Sequence, residues 1–418
     1  MKKTIVALAV AAAFSSTAFA DNANVTVYGK VDVDFESVKT SNPNGTSNNV
    51  VPTTITAASA LPGSMTRVAT NASRFGVKGS EDLGEGLSAF YQFEVQMDAN
   101  GNSGNGFGNG TRNSGVGIKS ADFGSVTFGV WDTPFKLSHN KIELFDNTHF
   151  ASSTNLIGRS GSTSAATAGT PLPVAGTTGT AASQNFNTRL KNVVQYASPV
   201  IEGFEGKIAY GTDVMTSTNV NGAVAATGPV GLNAAGVGGA ATNVAINKSS
   251  LSYSLTYDQE LFYVALASEA VFDAANKGTA KGDNKANRLV GALKFGDAGF
   301  VGVTVEKMSI TDSAVAANTV ESHSRTGFEL AASYKLNAHR FGGAFVKMGD
   351  LGSYKDTGAS QLSLRYGFNF SKRTEAYVMY SQLTNAKYGQ YNFSAGNVVT
   401  GAAGAKLTGF GAGVSHSF

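Results

Sequence analysis

The feature that most constrains this chain is a two-residue rhythm that recurs along most of its length. Near the start, Val25, Val27, Gly29, Val31, Val33 and Phe35 alternate with Thr26, Tyr28, Lys30, Asp32, Asp34 and Glu36. At the end, Phe410, Ala412, Val414 and Phe418 alternate with Gly and Ser, and His416 is the one exception on the apolar parity. Side chains on a strand point alternately to opposite faces, so this pattern makes strands with one greasy and one small or polar face. Such a sheet suits a boundary between lipid and water.

Further alternating segments follow in pairs around short turns. Leu87–Met97 follows the Glu81–Gly86 turn, and Arg112–Lys119 returns as Ser125–Trp131. Arg189–Ala197 with Phe204–Thr212, Ser250–Asp258 with Leu261–Glu269, and Asn287–Phe295 with Phe300–Met308 come next. Ser324–Leu336 with Arg340–Met348, Gln361–Phe370 with Thr374–Leu383, and a last strand from Gly401 complete the set. The count is about sixteen, an even number in the range of single-chain transmembrane barrels. The expected fold is all-β, an antiparallel barrel with short turns at one end and long loops at the other. The long connections are read as Lys39–Ala72, Asp98–Thr111, Thr133–Thr188 and Val214–Lys248. Within them, Gly158–Gln184 and Gly222–Asn247 are rich in Gly, Ala, Thr and Ser, and are expected to be mobile surface.

Composition agrees: 50 glycines, only 8 prolines and 15% charged residues suit a β protein with one apolar face. Residues 1–20 read as a cleaved export signal, with Lys2 and Lys3, the apolar Ile5–Phe14 run and an Ala18-Phe19-Ala20 cleavage site. Residues 21–418 are then one domain of net charge +1, since removing two lysines leaves 30 basic against 29 acidic residues. That balance gives no reason to expect a nucleic-acid partner. No later stretch is long and apolar enough for a spanning helix, so any membrane crossing must use strands. With no cysteine, an exported chain must be held by its ladder and packing.

Closing sixteen strands leaves an interior wider than side chains fill, so the polar parity is expected to face water. That parity carries Lys30, Asp32, Asp34 and Glu36, then Arg74 and Lys78, Arg189 and Lys191, and later Arg325 and Arg365. A charge facing lipid at mid-depth costs roughly 2–4 kcal/mol, which argues that these point inward. Enzyme motifs are poor. Asp32-x-Asp34-x-Glu36 resembles a calcium loop, but Ser37 stands where glycine is needed. Gly104-Asn105-Gly106-Phe107-Gly108 is followed by Asn109, which breaks a dinucleotide pattern. His139, His149, His323, His339 and His416 are scattered, and no metal or other cofactor is expected.

Several segments resemble the general diffusion porins of Gram-negative outer membranes, especially the β-proteobacterial and neisserial type. They are Val27-Tyr28-Gly29-Lys30-Val31-Asp32, Ser73–Gly79 with Glu81-Asp82-Leu83-Gly84, Phe123–Gly129, Tyr196-Ala197-Ser198-Pro199, Ser371-Lys372-Arg373-Thr374 and the closing Val414–Phe418. The resemblance implies a trimer of sixteen-stranded barrels, with the third long loop folded into a water-filled pore for small hydrophilic solutes and ions. It implies a constriction where basic wall residues, here Lys30, Arg74 and Arg189, face acidic loop residues, here Glu143 and Asp146. Asp32, Lys78, Lys191 and Arg365 would line the lumen. Outer-membrane lipid, lipopolysaccharide and the barrel-assembly machinery would be partners, the last reading Phe418. Val130 and Gln195 stand where such porins carry basic residues, which weakens any strong anion preference. A second expectation, from the low-complexity loops, is a surface adhesin or receptor. An outer-membrane hydrolase would need a clustered nucleophile and base.

Overall fold

The computed structural model describes residues 24–41, 63–100, 107–146, 149–163, 184–212, 218–219, 243–244, 249–277, 280–312, 321–393 and 403–418. The expected leader, residues 1–20, and most of the two low-complexity stretches lie outside them.

Sixteen antiparallel strands close into one barrel. They are β1 (Asn24–Thr40), β2 (Ser64–Thr70 resuming as Arg74–Gly84), β3 (Leu87–Met97) and β4 (Phe107–Thr111 resuming as Ser114–Ser120). Next come β5 (Gly124–Asp132), β6 (Arg189–Ala197), β7 (Phe204–Thr212), β8 (Ser249–Asp258) and β9 (Phe262–Lys277). β10 (Ala280–Lys294), β11 (Gly299–Asp312), β12 (Glu321–Leu336) and β13 (His339–Met348) follow. β14 (Ala359–Asn369), β15 (Thr374–Asn385) and β16 (Lys406–Ser417) complete the wall. Each strand pairs with the next, and β16 pairs with β1 from Lys30↔Ser417 to Thr40↔Leu407, which leaves no open edge.

The rhythm decides the faces. Val31, Phe35, Ile208, Leu255, Leu289, Phe328 and Val414 stand exposed on the outside, while Lys30, Asp32, Asp34 and Glu36 are buried within. An apolar outer surface running around the wall is far larger than a water-exposed protein tolerates, and it fits lipid. No helix among the described residues is long and apolar enough to cross a membrane.

Two expected loops contain strand that belongs to the barrel wall. Ser64–Thr70 extends β2 alongside Val33–Lys39, and Phe107–Thr111 begins β4. Small and polar residues hide the alternation there; the first extension is tied down by Arg67 Nε, 2.7 Å from Glu36 Oε1.

The described parts of the third long connection, residues 133–146, 149–163 and 184–188, turn into the barrel. The connection opens with a short helix, α1 (Pro134–His139): the Thr133 hydroxyl accepts from the Lys136 N–H, and Pro134 occupies the first turn. Phe135, Ile142, Phe145, Phe150, Leu156, Ile157 and Phe186 are all fully buried. All of these but Ile142 join one cluster with inward-facing Val38, Met308, Met348, Leu383 and Leu407, while Ile142 packs with Tyr263, Ala265 and Val290. That cluster qualifies the expectation that the inward parity is polar and faces water, because over part of the wall the inward side chains are apolar and packed against the loop. It also explains β15, whose inner residues Tyr377, Met379 and Leu383 are as apolar as the outer Val378 and Tyr380. The stretch Gly158–Gln184 departs from expectation at its start: Gly158 and Ser160 are buried inside the barrel.

Candidate functional site

What the loop leaves open is decided by irregularities in neighbouring strands. β2 breaks at residues 71–73, where Ala72 takes a left-handed φ of 49°. There the Ser73 hydroxyl donates to the Asp32 carbonyl and accepts from its N–H, at 3.0 and 2.9 Å. β4 breaks at residues 112–113, with the Arg112 N–H on the Glu94 carbonyl at 2.8 Å. β5 and β6 shift register between Gly129 and Trp131, next to the Asp132↔Arg189 pair. A bulge re-aims the side chains beside it. Here the breaks lie next to Arg74, Arg112 and Arg189, which meet around one cavity.

That cavity measures about 420 Å³, and Lys136, Arg159, Glu94, Asp132, Glu143 and Asp146 complete its charged lining. Glu94 takes the Arg112 guanidinium and the Tyr28 hydroxyl (3.0 Å), with Arg74 Nε at 3.9 Å. Asp132 takes Lys136 Nζ at 2.7 Å and Arg189 Nε at 3.0 Å. Lys30 Nζ lies 3.0 Å from Asp32 and bridges to Asp146 on the loop. Both sides of the opening therefore carry both signs. Each wall arginine has a carboxylate beside it, with Glu94 shared by Arg74 and Arg112, and the loop brings Lys136 and Arg159 as well as Glu143 and Asp146.

On the other side of the loop tip lies a second cavity of about 270 Å³, lined by Asp32, Glu143, Asp146, His149, Arg340 and Arg365 among others. Arg365 Nη2 sits 2.9 Å from Glu375, and its guanidinium lies 4.1 Å above the Tyr377 ring.

Electrostatics on the loop are set by burial and then by neighbours. Burial pushes the Glu143 carboxyl up to about 7, against the attraction of His139. Asp146 is exposed at the loop's edge; surrounding protein disfavours its ionised form, but the Lys30 ammonium outweighs this and holds that carboxyl below its ordinary range. His149 is buried, which opposes its charge, yet Asp32 and Asp34 on β1 raise it overall. Their oxygens lie 3.7 and 3.6 Å from its ring nitrogens. His139 has a parallel setting, with Nε2 2.5 Å from Glu329 on β12 and Nδ1 3.9 Å from Glu143.

Of the residues singled out from the sequence, Arg74, Arg189, Glu143 and Asp146 line one cavity, and Lys30 reaches it through Asp146. Asp32 and Arg365 line the second. Lys78 is exposed nearer the short-turn end, its ammonium 5.1 Å above the Tyr28 ring. Lys191 is exposed in the β5–β6 register shift and joins neither cavity. Phe418 closes the barrel through paired backbone bonds to Gly29, each 3.1 Å, and its ring fills the space beside that glycine. Arg112, Lys136, Arg159, Glu94 and Asp132 were not singled out. The Asp132-Thr133-Pro134 sequence did carry a helix-start signal that would have placed Lys136 one turn in.

Comparison with known proteins bears on this geometry. The model of the Gram-negative porin family matches residues 7–388. An outer membrane porin of Bordetella pertussis is 35% identical over 140 residues, spanning 31% of this chain and 33% of that protein. Outer membrane porin protein 32 of Delftia acidovorans is 25% identical over the full length of both chains. Among solved structures, an anion-selective porin from Comamonas acidovorans superposes with a TM-score of 0.68 at 20% identity, covering 95% of this chain and all of that one.

Proposed function

This chain belongs to the Gram-negative porin family, and from that premise we propose that the cavity beside the inward loop is the constriction through which its permeants pass. The protein is a passive outer-membrane channel for small hydrophilic solutes and ions. In the proposed constriction, Lys30, Arg74 and Arg189 act on the wall side, with Arg112 beside them. Glu143 and Asp146 act from the loop. The observation that carries this is the coincidence of three strand breaks with one charged opening, since bulges are placed where a side chain must be re-aimed.

Around that opening five basic groups (Arg74, Arg112, Lys136, Arg159, Arg189) face four acidic ones (Glu94, Asp132, Glu143, Asp146), a difference of +1. Glu143 is only partly ionised near neutral pH, which adds to the positive side. Permeant anions are therefore favoured, modestly, over cations. The mature protein starts after a cleaved leader at residue 20 and assembles as a homotrimer in lipid and lipopolysaccharide. Its closing Phe418 strand is the segment the assembly machinery reads. It catalyses no reaction, and nucleic acid is not a partner.

The test is a salt-gradient reversal potential on purified protein in planar bilayers. Replacing both Lys30 and Arg74 by Ala should move it toward cations, more at 0.1 M than at 1 M salt, because the screening length shortens from about 10 to about 3 Å. An unmoved reversal potential, with conductance intact, would show that these residues do not line the narrow level.

A further inference from the structure

The loop's contribution to this constriction has been described by its acids, yet its most firmly held lining residue is a base. Residues 158–161 form a Gly-Arg-Ser-Gly turn with both glycines at left-handed φ, 75° and 66°. No side chain fits at either: a Cβ on Gly158 would lie 2.1 Å from Asn187 Nδ2, and on Gly161 2.6 Å from the Tyr391 ring.

Three buried side chains from other parts of the barrel then grip the turn's backbone residue by residue. Glu306, on β11, accepts from the Gly158 N–H at 2.8 Å. Tyr391 donates its hydroxyl to the Arg159 carbonyl at 3.2 Å. Arg325, on β12, donates to the Ser160 carbonyl and to the same Tyr391 hydroxyl. Glu306, Arg325 and Tyr391 are each 2% exposed or less. Glu306 also pairs with Arg288, and Arg325 also donates to the Thr357 carbonyl at 2.9 Å, so the segment is tied into buried charged groups that are themselves fixed to the wall.

What the turn presents is the Arg159 side chain. It is partly exposed into the 420 Å³ opening, and its Nε donates to the Thr154 carbonyl at 2.7 Å. Lys136 and Arg189 share one carboxylate, Asp132, and Arg112 and Arg74 share another, Glu94, so each of these four bases has an acid beside it although two acids offset only half of their charge. Among the described residues no carboxylate comes within 4.0 Å of Arg159. A base that shares an acid has its field partly offset, whereas one with no acid beside it acts at full charge on every passing ion.

We infer that Arg159 is the principal specificity-determining cation of the constriction, held from the loop side by Glu306, Tyr391 and Arg325 as positioning residues. This rests on the proposed location of the constriction. It also departs from an arrangement of basic wall against acidic loop, because the decisive positive charge stands on the loop.

Reversal potentials of Arg159→Gln, Arg159→Lys, Arg189→Gln and Arg74→Ala in a KCl gradient separate the possibilities. At 0.1 M salt, Arg159→Gln should lower the chloride-to-potassium permeability ratio roughly two- to fivefold, the size expected of one charge acting a few ångströms away through water. Arg159→Lys should retain the wild-type ratio, and Arg189→Gln should move it less than Arg159→Gln. Tyr391→Phe should move it partway, and should add nothing in an Arg159→Gln background. A Tyr391 that only stabilised the fold would shift both backgrounds equally. If Arg74→Ala moves the ratio while Arg159→Gln does not, this inference falls and the constriction stands. If neither moves it, the constriction itself is misplaced.

Discussion

Glu143 gives the sharpest test of the electrostatic account, because its charge changes in the pH range where channels are measured. One carboxylate oxygen accepts from the Phe145 N–H at 2.9 Å and from the Ser152 hydroxyl at 3.3 Å. The other has no hydrogen-bond donor and lies 3.9 Å from His139 Nδ1. Burial first, with Glu329 and Asp146 nearby, moves its ionisation up to about 7. Between pH 6 and 8 its charged fraction therefore rises from about 10% to about 90%. A unit charge about 7 Å from a permeant ion in a water-like medium contributes about 0.6 kcal/mol. Scaled by the change in charge, this is roughly a twofold effect on each ion sign and opposite for the two.

The chloride-to-potassium permeability ratio in 0.1 M KCl should thus fall about fivefold from pH 6 to pH 8, and much less in 1 M KCl. Glu143→Gln keeps an oxygen for the Phe145 N–H and should hold the ratio flat at its acid value. Stability moves in step. A carboxyl raised by the fold contributes stability below the unfolded value near 4.5, and that contribution is lost as pH rises through about 7. Glu143→Gln should therefore gain heat resistance over wild type at pH 8 and not at pH 5. A Glu143→Gln channel that keeps the full pH dependence would refute the reasoning.

Two further expectations concern how the loop is held. Arg288 and Glu306 form an ion pair whose side chains are wholly buried, and Arg288 also donates to the Phe135 carbonyl and to Asn187 at 3.2 and 3.1 Å. Arg288→Met strands the carboxylate and should cost about 3–5 kcal/mol in chemical unfolding, while the Arg288→Met/Glu306→Leu pair should cost clearly less. Equal losses for single and double variants would mean the charge pairing is not what matters. Phe150 is fully buried, with its ring beside Gly409 and Gly411 of β16 and 6.0 Å from the Phe393 ring. Phe150→Ala should cost about 3–5 kcal/mol and raise open-channel current noise; a silent trace would show that the loop needs no such plug.

The barrel was legible in the sequence because each strand repeats one instruction, apolar outward and polar inward, at every second residue. Strand existence and the faces of β1, including buried Lys30, Asp32, Asp34 and Glu36, follow from that alone. The signal failed where the instruction was overridden locally. Ser64–Thr70 lacks a clean alternation and is held by register with β1. On β15 the inner face is apolar because it meets the loop rather than water, so Tyr377 and Met379 look no different from Val378 and Tyr380.

The inner surface is harder to read because its chemistry is set by what fills the barrel, and that filler is distant in sequence. Phe150 lies on β16, Gly158 on β11 and Ser160 on β12, contacts spanning roughly 150 to 260 residues that no local period encodes. Lys30 and Arg74 could be named because strand parity already placed them. Arg159 could not, since its neighbours read as the edge of a low-complexity stretch. Yet the two glycines around it had a physical meaning, as positions a closely gripped backbone requires. The same contrast bears on why each wall arginine has a carboxylate beside it while Arg159 on the loop has none. On a strand an ion pair forms with the next strand at little conformational cost, as Arg365 does with Glu375. Arg159 pairs instead with Asn185 of the same connection, a neutral neighbour, so its charge remains available to the permeant.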